Sequence, residues 1–356
     1  MESAIQKVEG WKNMTLQQHT TKTAEPHDEE IDLTEFQQPS VGRSIWQLAN
    51  TLIPYFTLLV GAFWLTHISY WLVVPAVALA ALFLIRLFII FHDCGHGSFF
   101  ASTKANDIVG TIAGFLTFTP YYYWHKAHAK HHATSANLDK RGYGDVWTMT
   151  VEEFQAASRK ERIQYRLYRN PAVMFILGPL FILLITNRLV RRKANKRERW
   201  SVYYTNVAVV LMAGGMCLIP GVGWRGLLLV QLPILYFGTM LGIWLFYVQH
   251  QFEGVYWARE PEWDFEAASL EGGSFYALPT ILHWFTGNIG YHHIHHLSSR
   301  IPNYYLPKCH KQYERLATIP PVGIRRSLKS FTYRLWDEAE NRLVGFRRAR
   351  MKQTSN

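Results

Sequence analysis

Four stretches of the 356-residue chain run apolar for twenty residues or more, with polar and charged residues collected between them. They lie at about 45–66 ("IWQLANTLIPYFTLLVGAFWLT"), 70–91 ("YWLVVPAVALAALFLIRLFIIF"), 201–220 ("SVYYTNVAVVLMAGGMCLIP") and 226–248 ("GLLLVQLPILYFGTMLGIWLFYV"). A helix rises about 1.5 Å per residue, so each matches the ~30 Å hydrocarbon layer of a bilayer. Very short connections, His67–Ser69 and Gly221–Arg225, pair them into two hairpins. Two further apolar stretches, 105–120 and 171–187, are below or at the margin of spanning length, and Gly110, Gly114 and Pro120 weaken the first as a rigid span. They read as re-entrant or interfacial segments. The pattern predicts an all-α integral membrane protein: four transmembrane helices in two hairpins, the two interfacial helices, and a cytosolic helical cap. A single membrane domain over 41–340 would follow a flexible tail at 1–40 and precede a basic tail at 341–356.

Charge orients this arrangement. Residues 1–43 carry four Lys/Arg against eight Asp/Glu, a net of −4, leaving +15 on the remainder. That acidic stretch lacks a basic-then-apolar signal pattern and reads as a cytosolic tail. Residues 188–200 ("RLVRRKANKRERW") hold seven Lys/Arg, and "IRRSLK" and "FRRARMK" follow from 324 onward. The positive-inside tendency places them in the cytoplasm, with both termini inside, most simply at a bacterial inner membrane. The cluster reads as topogenic and headgroup-contacting; juxtamembrane charge argues against nucleic-acid binding. Thirteen Trp and nineteen Tyr suit a membrane interface. Cys94, Cys217 and Cys309 form no CxxC, so neither a disulfide framework nor a thiolate metal site is indicated. No pattern specifies an oligomeric state.

The histidines carry the chemistry. "HDCGH" sets His92 and His96 four residues apart just beyond the second apolar run. "HKAHAKHH" contains His125, His128, His131 and His132, and "HHIHH" contains His292, His295 and His296 in the H-x-x-H-H spacing of His128, His131 and His132. His250 closes the fourth apolar run. That spacing puts three imidazoles on one helix face. With sixteen histidines in the chain, such a motif is expected about 0.03 times by chance; here it occurs twice. In the four-span topology every box lies at or beyond the cytoplasmic end of a span. Eight or nine imidazoles exceed what one tetrahedral or octahedral ion uses, whereas two ions with four or five each, and an open position, fit the count. Imidazole suits iron, zinc, copper and nickel alike, but the lack of Cys pairs argues against structural zinc. A redox metal pair just inside a membrane can reach acyl chains, and iron with dioxygen attacks an unactivated methylene.

"FHDCGHGSFF", "WHKAHAKHHATSANLDKRGYGDVWTMTVEEF", "FYVQHQFEGVYW" and "GNIGYHHIHHLSSRIPNYYLP" resemble the membrane fatty acid desaturases, in particular bacterial acyl-lipid desaturases of the Bacillus Δ5 type. The resemblance covers about residues 31–340. It implies a non-haem di-iron centre, O2 as oxidant, and two electrons per double bond from a reduced carrier. It also implies a metal-ligand set of His92, His96, His128, His131, His132, His292, His295 and His296, with His250 as the additional histidine after the last span. No HPGG haem-domain motif is present, so the expected donor is a separate ferredoxin- or flavodoxin-like protein. The expected substrate is a saturated acyl chain of membrane phospholipid, receiving a cis double bond.

Other residues near the boxes read as supports. His125 departs from related boxes and is expected to face solvent or steady a ligand; His293 points about 100° from His292 and is set aside. Asn288 could hold a metal-bound water by analogy with the family. Asp93, Asp139 and Asp145 are candidates to orient imidazole N–H groups. Arg86 is expected to reach for the membrane interface, and "PYYYW" at 120–124 to form an aromatic belt or line an acyl entrance. Two competing functions remain on these residues. A di-iron hydroxylase or ketolase acting on alkane, acyl or carotenoid substrates uses the same histidine architecture. A non-catalytic metal sensor or transporter would place ligands at mid-span depth instead.

Overall fold

The computed structural model describes residues 31–142 and 144–349. Its helices begin where side chains can cap them. Ser40 accepts from Arg43 N at the start of α1 (Val41–Leu65), and Ser69 accepts from Trp71 N at the start of α2 (Tyr70–His96). The 27 residues of α2 give a rod of about 40 Å, longer than a ~30 Å hydrocarbon layer. His92 and His96 lie on its last turns, in one unbroken helix with the apolar run. It stops at Gly97, whose φ of 69° is the left-handed conformation glycine adopts without strain.

The stretch expected at 105–120 folds as α3 (Thr103–Leu116), whose 14 residues reach only about 21 Å. It turns back against α2 and meets α4 (Tyr121–Thr134) so closely that a Cβ on Gly110 would collide with the Tyr121 ring. The stretch expected at 171–187 is helical but irregular: π turns at Val173–Leu177 and Ile182–Thr186 flank Gly178–Phe181. It meets α5 (Arg159–Tyr168) at a 64° bend. A capping box between Asn195 and Glu198 starts α6 (Lys196–Leu218) inside the basic cluster, earlier than hydropathy alone suggests. The last long helix runs from Gly223 through a π turn at Leu227–Gln231 into α7 (Leu232–His250). Among the described residues, four helices are long and apolar enough to cross a membrane, or five if the bent pair counts as one span.

Helices α1 and α7 pack on α2. Tyr55 and Leu59 of α1, Val77, Leu84 and Phe91 of α2, and Ile234 and Leu235 of α7 form the buried seam. The outward faces are as apolar as the seam: Trp46, Ile53, Val60 and Trp64 on α1 and Val207, Val210 and Leu211 on α6 are exposed. Such a surface is matched by lipid, not by water.

The all-helical expectation fails in the cap, which adds five short strands. They are β1 (Met149–Thr150), β2 (Phe275–Ala277), β3 (Pro321–Gly323), β4 (Leu335–Asp337) and β5 (Arg342–Val344). β1 lies parallel to β4 with Met149 opposite Leu335, and β5 runs antiparallel on the other edge of β4. β2 and β3 form a separate parallel pair with Tyr276 opposite Val322. Strands of two or three residues are too short to show a period of two, so hydropathy did not reveal them. Buried side chains also occur outside 41–340. Leu343, Val344 and Ala349 are buried beyond residue 340, and before residue 41 the Phe36 ring is buried against Tyr305 and Tyr313. The rest of the expected acidic tail, residues 1–30, lies outside the described residues.

Candidate metal centre

Nine imidazoles converge on the ends of α2, α4, α7 and the short helix α8 (His292–Leu297). They fall into two groups, each with one ligand nitrogen per residue and all such nitrogens within 4.8 Å of one another. The first contains His92, His96, His128, His132 and His295; the second contains His131, His250, His292 and His296. Boxes and groups do not coincide. On α4 the i, i+4 pair His128 and His132 joins the five-membered group while His131 crosses to the other. On α8 the pair His292 and His296 joins the four-membered group while His295 crosses back.

The hydrogen bonds fix which nitrogens face inward. Asp145 Oδ1 lies 2.5 Å from His131 Nδ1, and the Gly272 carbonyl lies 3.1 Å from His250 Nδ1, so both rings donate outward from Nδ1. Their Nε2 atoms then carry lone pairs, and they face each other at 3.1 Å, with His292 Nε2 2.9 Å from His250 Nε2. In the other group, His132 Nε2 lies 3.1 Å from both His128 Nε2 and His295 Nε2. Two neutral ring nitrogens with both protons turned away repel at this distance unless a cation lies between them. Burial, and then the neighbouring histidines, hold His128, His132, His292, His295 and His296 well below the ordinary imidazole pKa. Neutral imidazole is the ligating form, so the donor set fits two metal ions.

Comparison with known sequences agrees with this chemistry. The profile of the family described as "Fatty acid desaturase" matches residues 68–326. The "Fatty acid desaturase" of Bacillus subtilis (strain 168) is 49% identical over 312 residues, covering 88% of each chain. The chain belongs to the fatty acid desaturase family. The family also includes more distant relatives. An "sn-1 oleoyl-lipid 12-desaturase" of Synechocystis is 28% identical, covering 63% of each chain. An "sn-1 acyl-lipid omega-3 desaturase (ferredoxin)" of Nostoc is 26% identical, covering 76% of this chain and 75% of its own. The protein is therefore a fatty acid desaturase, an oxidoreductase that associates with membranes through its apolar helices.

Around the histidines, the desaturase fold treats the other candidates unequally. Asp93 places Oδ1 3.2 Å from His92 Nδ1, and its Oδ2 accepts from Asn303 N and Nδ2, both at 2.8 Å. Asp139 is a surface residue that accepts from Arg259 Nη1 at 2.7 Å and Glu260 N at 2.9 Å, so it orients a loop and no imidazole. Asn288 precedes α8 in a left-handed turn with φ 57°, and its Nδ2 donates to the Asn303 carbonyl; it is in neither nitrogen group. His125 is half-buried beside Tyr121, and His293 is buried beside His310 and Phe275; both are outside the groups.

One expectation based on membrane contact is corrected, and two further segments make contacts within the protein. Arg86 does not reach the interface. It is buried, its guanidinium stacks 4.0 Å from the Trp284 ring, and Nη1 donates to the Trp284 carbonyl, which ties the segment before box three to α2. The "PYYYW" run is mostly internal: Tyr121 donates to the Cys94 carbonyl at 2.7 Å, and Trp124 stacks on His128 at 4.3 Å. Four of the seven cations at 188–200 bind protein groups. Arg188 donates to the Phe118 carbonyl, Arg191 to Tyr123 Oη, Arg197 to Asp107 and Arg199 to the Ala194 carbonyl. Each long side chain found a polar group of the protein, on another element or, for Arg199, in its own segment, which hydropathy does not reveal.

The sequence reading also missed the residues that brace the histidine-bearing segments. Arg169 is buried and donates to Gln251 Oε1 at 2.7 Å, to the Tyr333 carbonyl at 2.9 Å and to the Trp147 carbonyl at 3.2 Å. It thus joins the loop after Asp145 to the end of α7. Gln47 of α1 donates to Asn303 Oδ1 at 3.0 Å, which extends the Asp93 network across the seam. A lone Arg, Gln or Asn gives no signal of this kind without its distant partner.

Proposed function

We propose that the two nitrogen groups hold two iron ions, with His92, His96, His128, His132 and His295 on one and His131, His250, His292 and His296 on the other. The enzyme then uses O2 and two electrons from a ferredoxin- or flavodoxin-like carrier to place a cis double bond in a saturated acyl chain of membrane phospholipid. Two non-haem irons supply, with O2, the oxidising power that removes hydrogen from an unactivated methylene. The chain's own residues prepare the site. Asp145 and the Gly272 carbonyl hold His131 and His250 in the tautomer that presents Nε2, and Asp93 does the same for His92. The overshoot of α2 sets the centre next to the membrane edge, where an acyl chain can arrive from the bilayer. The observation that carries this reading is the 3.1 Å approach of His131 Nε2 and His250 Nε2, both turned inward by acceptors on Nδ1.

Expression in a bacterium that lacks such enzymes, followed by mass spectrometry of total lipid with double-bond localisation, tests the activity. New cis-monounsaturated phospholipid is expected; hydroxylated acyl chains would contradict it. The centre is proposed to face the cytoplasm at the inner membrane, with both termini on that side. Single cysteines at Lys104, Lys140 and Lys196 in a Cys-free background should resist membrane-impermeant thiol reagents in intact cells and react once the membrane is opened. Labelling of Lys140→Cys from outside would separate box two from box one across the bilayer and end the shared-site reading.

A further inference from the structure

The two carboxylates that hold ligand histidines are not equally satisfied. Asp93 uses both oxygens. Asp145 gives Oδ1 to His131, but its buried Oδ2 meets no hydrogen-bond donor among the described residues. Buried polar atoms of this kind are in general met by protein groups or by ordered water. A cavity of about 10 Å³ lies against Asp145, His131 and His250 and is also lined by Trp257 and Gln251. The indole Nε1 of Trp257 is buried and likewise has no acceptor among the described residues.

The volume and the chemistry point the same way. A single water molecule needs about 10–15 Å³ measured in this way, together with two or more polar partners. The cavity has that volume, and two of its lining residues, Trp257 and Asp145, carry the unanswered donor and the unanswered acceptor, a pairing that a single water can bridge. Asp145, Trp257, Gln251, His131 and His250 are among the residues that line it, so polar groups stand beside walls that are otherwise largely apolar.

We propose that one buried water occupies this cavity, accepting from Trp257 Nε1–H and donating to Asp145 Oδ2, so that Trp257 acts through Asp145 as a positioning residue for His131. The water fixes the orientation of the carboxylate whose other oxygen sets the His131 tautomer. The five-histidine group needs no such molecule, because Asn303 supplies both donors to Asp93. The role assigned to His131 rests on the metal-binding reading above; the water site does not.

The test has two arms. An experimental structure of the full-length protein in lipid nanodiscs, at a resolution that shows ordered water, should show density within about 2.7–3.2 Å of both Trp257 Nε1 and Asp145 Oδ2. An empty cavity, or a protein partner on either atom, overturns the proposal. Density with no iron in either group would contradict the metal reading and leave the water site standing. The second arm compares Trp257→Phe with Asp145→Asn by timed release of metal to a chelator. Trp257→Phe removes the donor and keeps a ring packed near Ala136, Leu138 and Trp336. Release from the four-histidine group should quicken about 10-fold or more in each variant, without further increase in the double variant, while the five-histidine group is unchanged. A folded Trp257→Phe protein with unaltered release, or additive effects in the double variant, would overturn the positioning role. If Trp257→Phe does not fold, the density in the unsubstituted protein decides the water site.

Discussion

The five-histidine and four-histidine groups sit side by side yet are built differently. The first takes four members from the facing ends of α2 and α4, which are close in sequence, and one from α8. Its carboxylate, Asp93, is part of α2 itself and is fully bonded through Asn303 to Gln47. The second takes single members from α4 and α7 and two from α8, and its carboxylate, Asp145, comes from a loop that Arg169 and Gln251 brace from outside. One group is thus a property of a helical hairpin, the other of the tertiary structure. The difference teaches that identical box spacing does not give the imidazoles identical surroundings; what packs around each box does.

The largest expected effect treats the groups alike. Replacing His96, His131 or His295 by Ala should reduce desaturation of membrane lipid to background while insertion is unchanged, because the reaction needs both groups with their full ligand sets and the spans are untouched. Retention of substantial product by any of the three would break the shared centre. The carboxylates sharpen the contrast. Asp93→Asn and Asp145→Asn should each weaken metal retention by about 10–100-fold. Asp93→Asn should also lower stability by about 1–3 kcal/mol, because two buried Asn303 N–H groups lose their anionic acceptor. Denaturation midpoints measured in parallel check this, and equal destabilisation by Asp145→Asn would contradict it. The smallest effects belong to His125→Ala and His293→Ala, which should keep most activity and full metal content. Inactivation as complete as for His131→Ala would show that the division into nine and the rest is wrong.

Much of this was legible in the sequence, for identifiable physical reasons. Long apolar runs and i, i+4 histidine pairs are local patterns, and local patterns survive in one dimension. They marked α1, α2, α6 and α7 and brought out all nine imidazoles. The division of those nine between two groups was not legible, because whether His131 or His132 faces a given partner depends on how α4 crosses α7 and α8. Asp145 could be suspected from its closeness to the histidines of 125–132, but Asp139, nearer in the chain, turned to Arg259. Arg169, Asn303 and Trp257 act through partners far away in the chain and left no periodic trace. The strands of the cap were hidden for the opposite reason, being too short to carry a period at all.

The account rests on two groups of unequal size, and metal content measures that directly. Iron should be quantified per chain in the purified full-length protein and in His96→Ala and His250→Ala. Removing one of five imidazoles leaves four, whereas removing one of four leaves three. The expected values are therefore about two irons for the unsubstituted protein, about two for His96→Ala and about one for His250→Ala. A single iron in the unsubstituted protein, stoichiometric zinc in active enzyme, or equal metal loss in the two variants would contradict it.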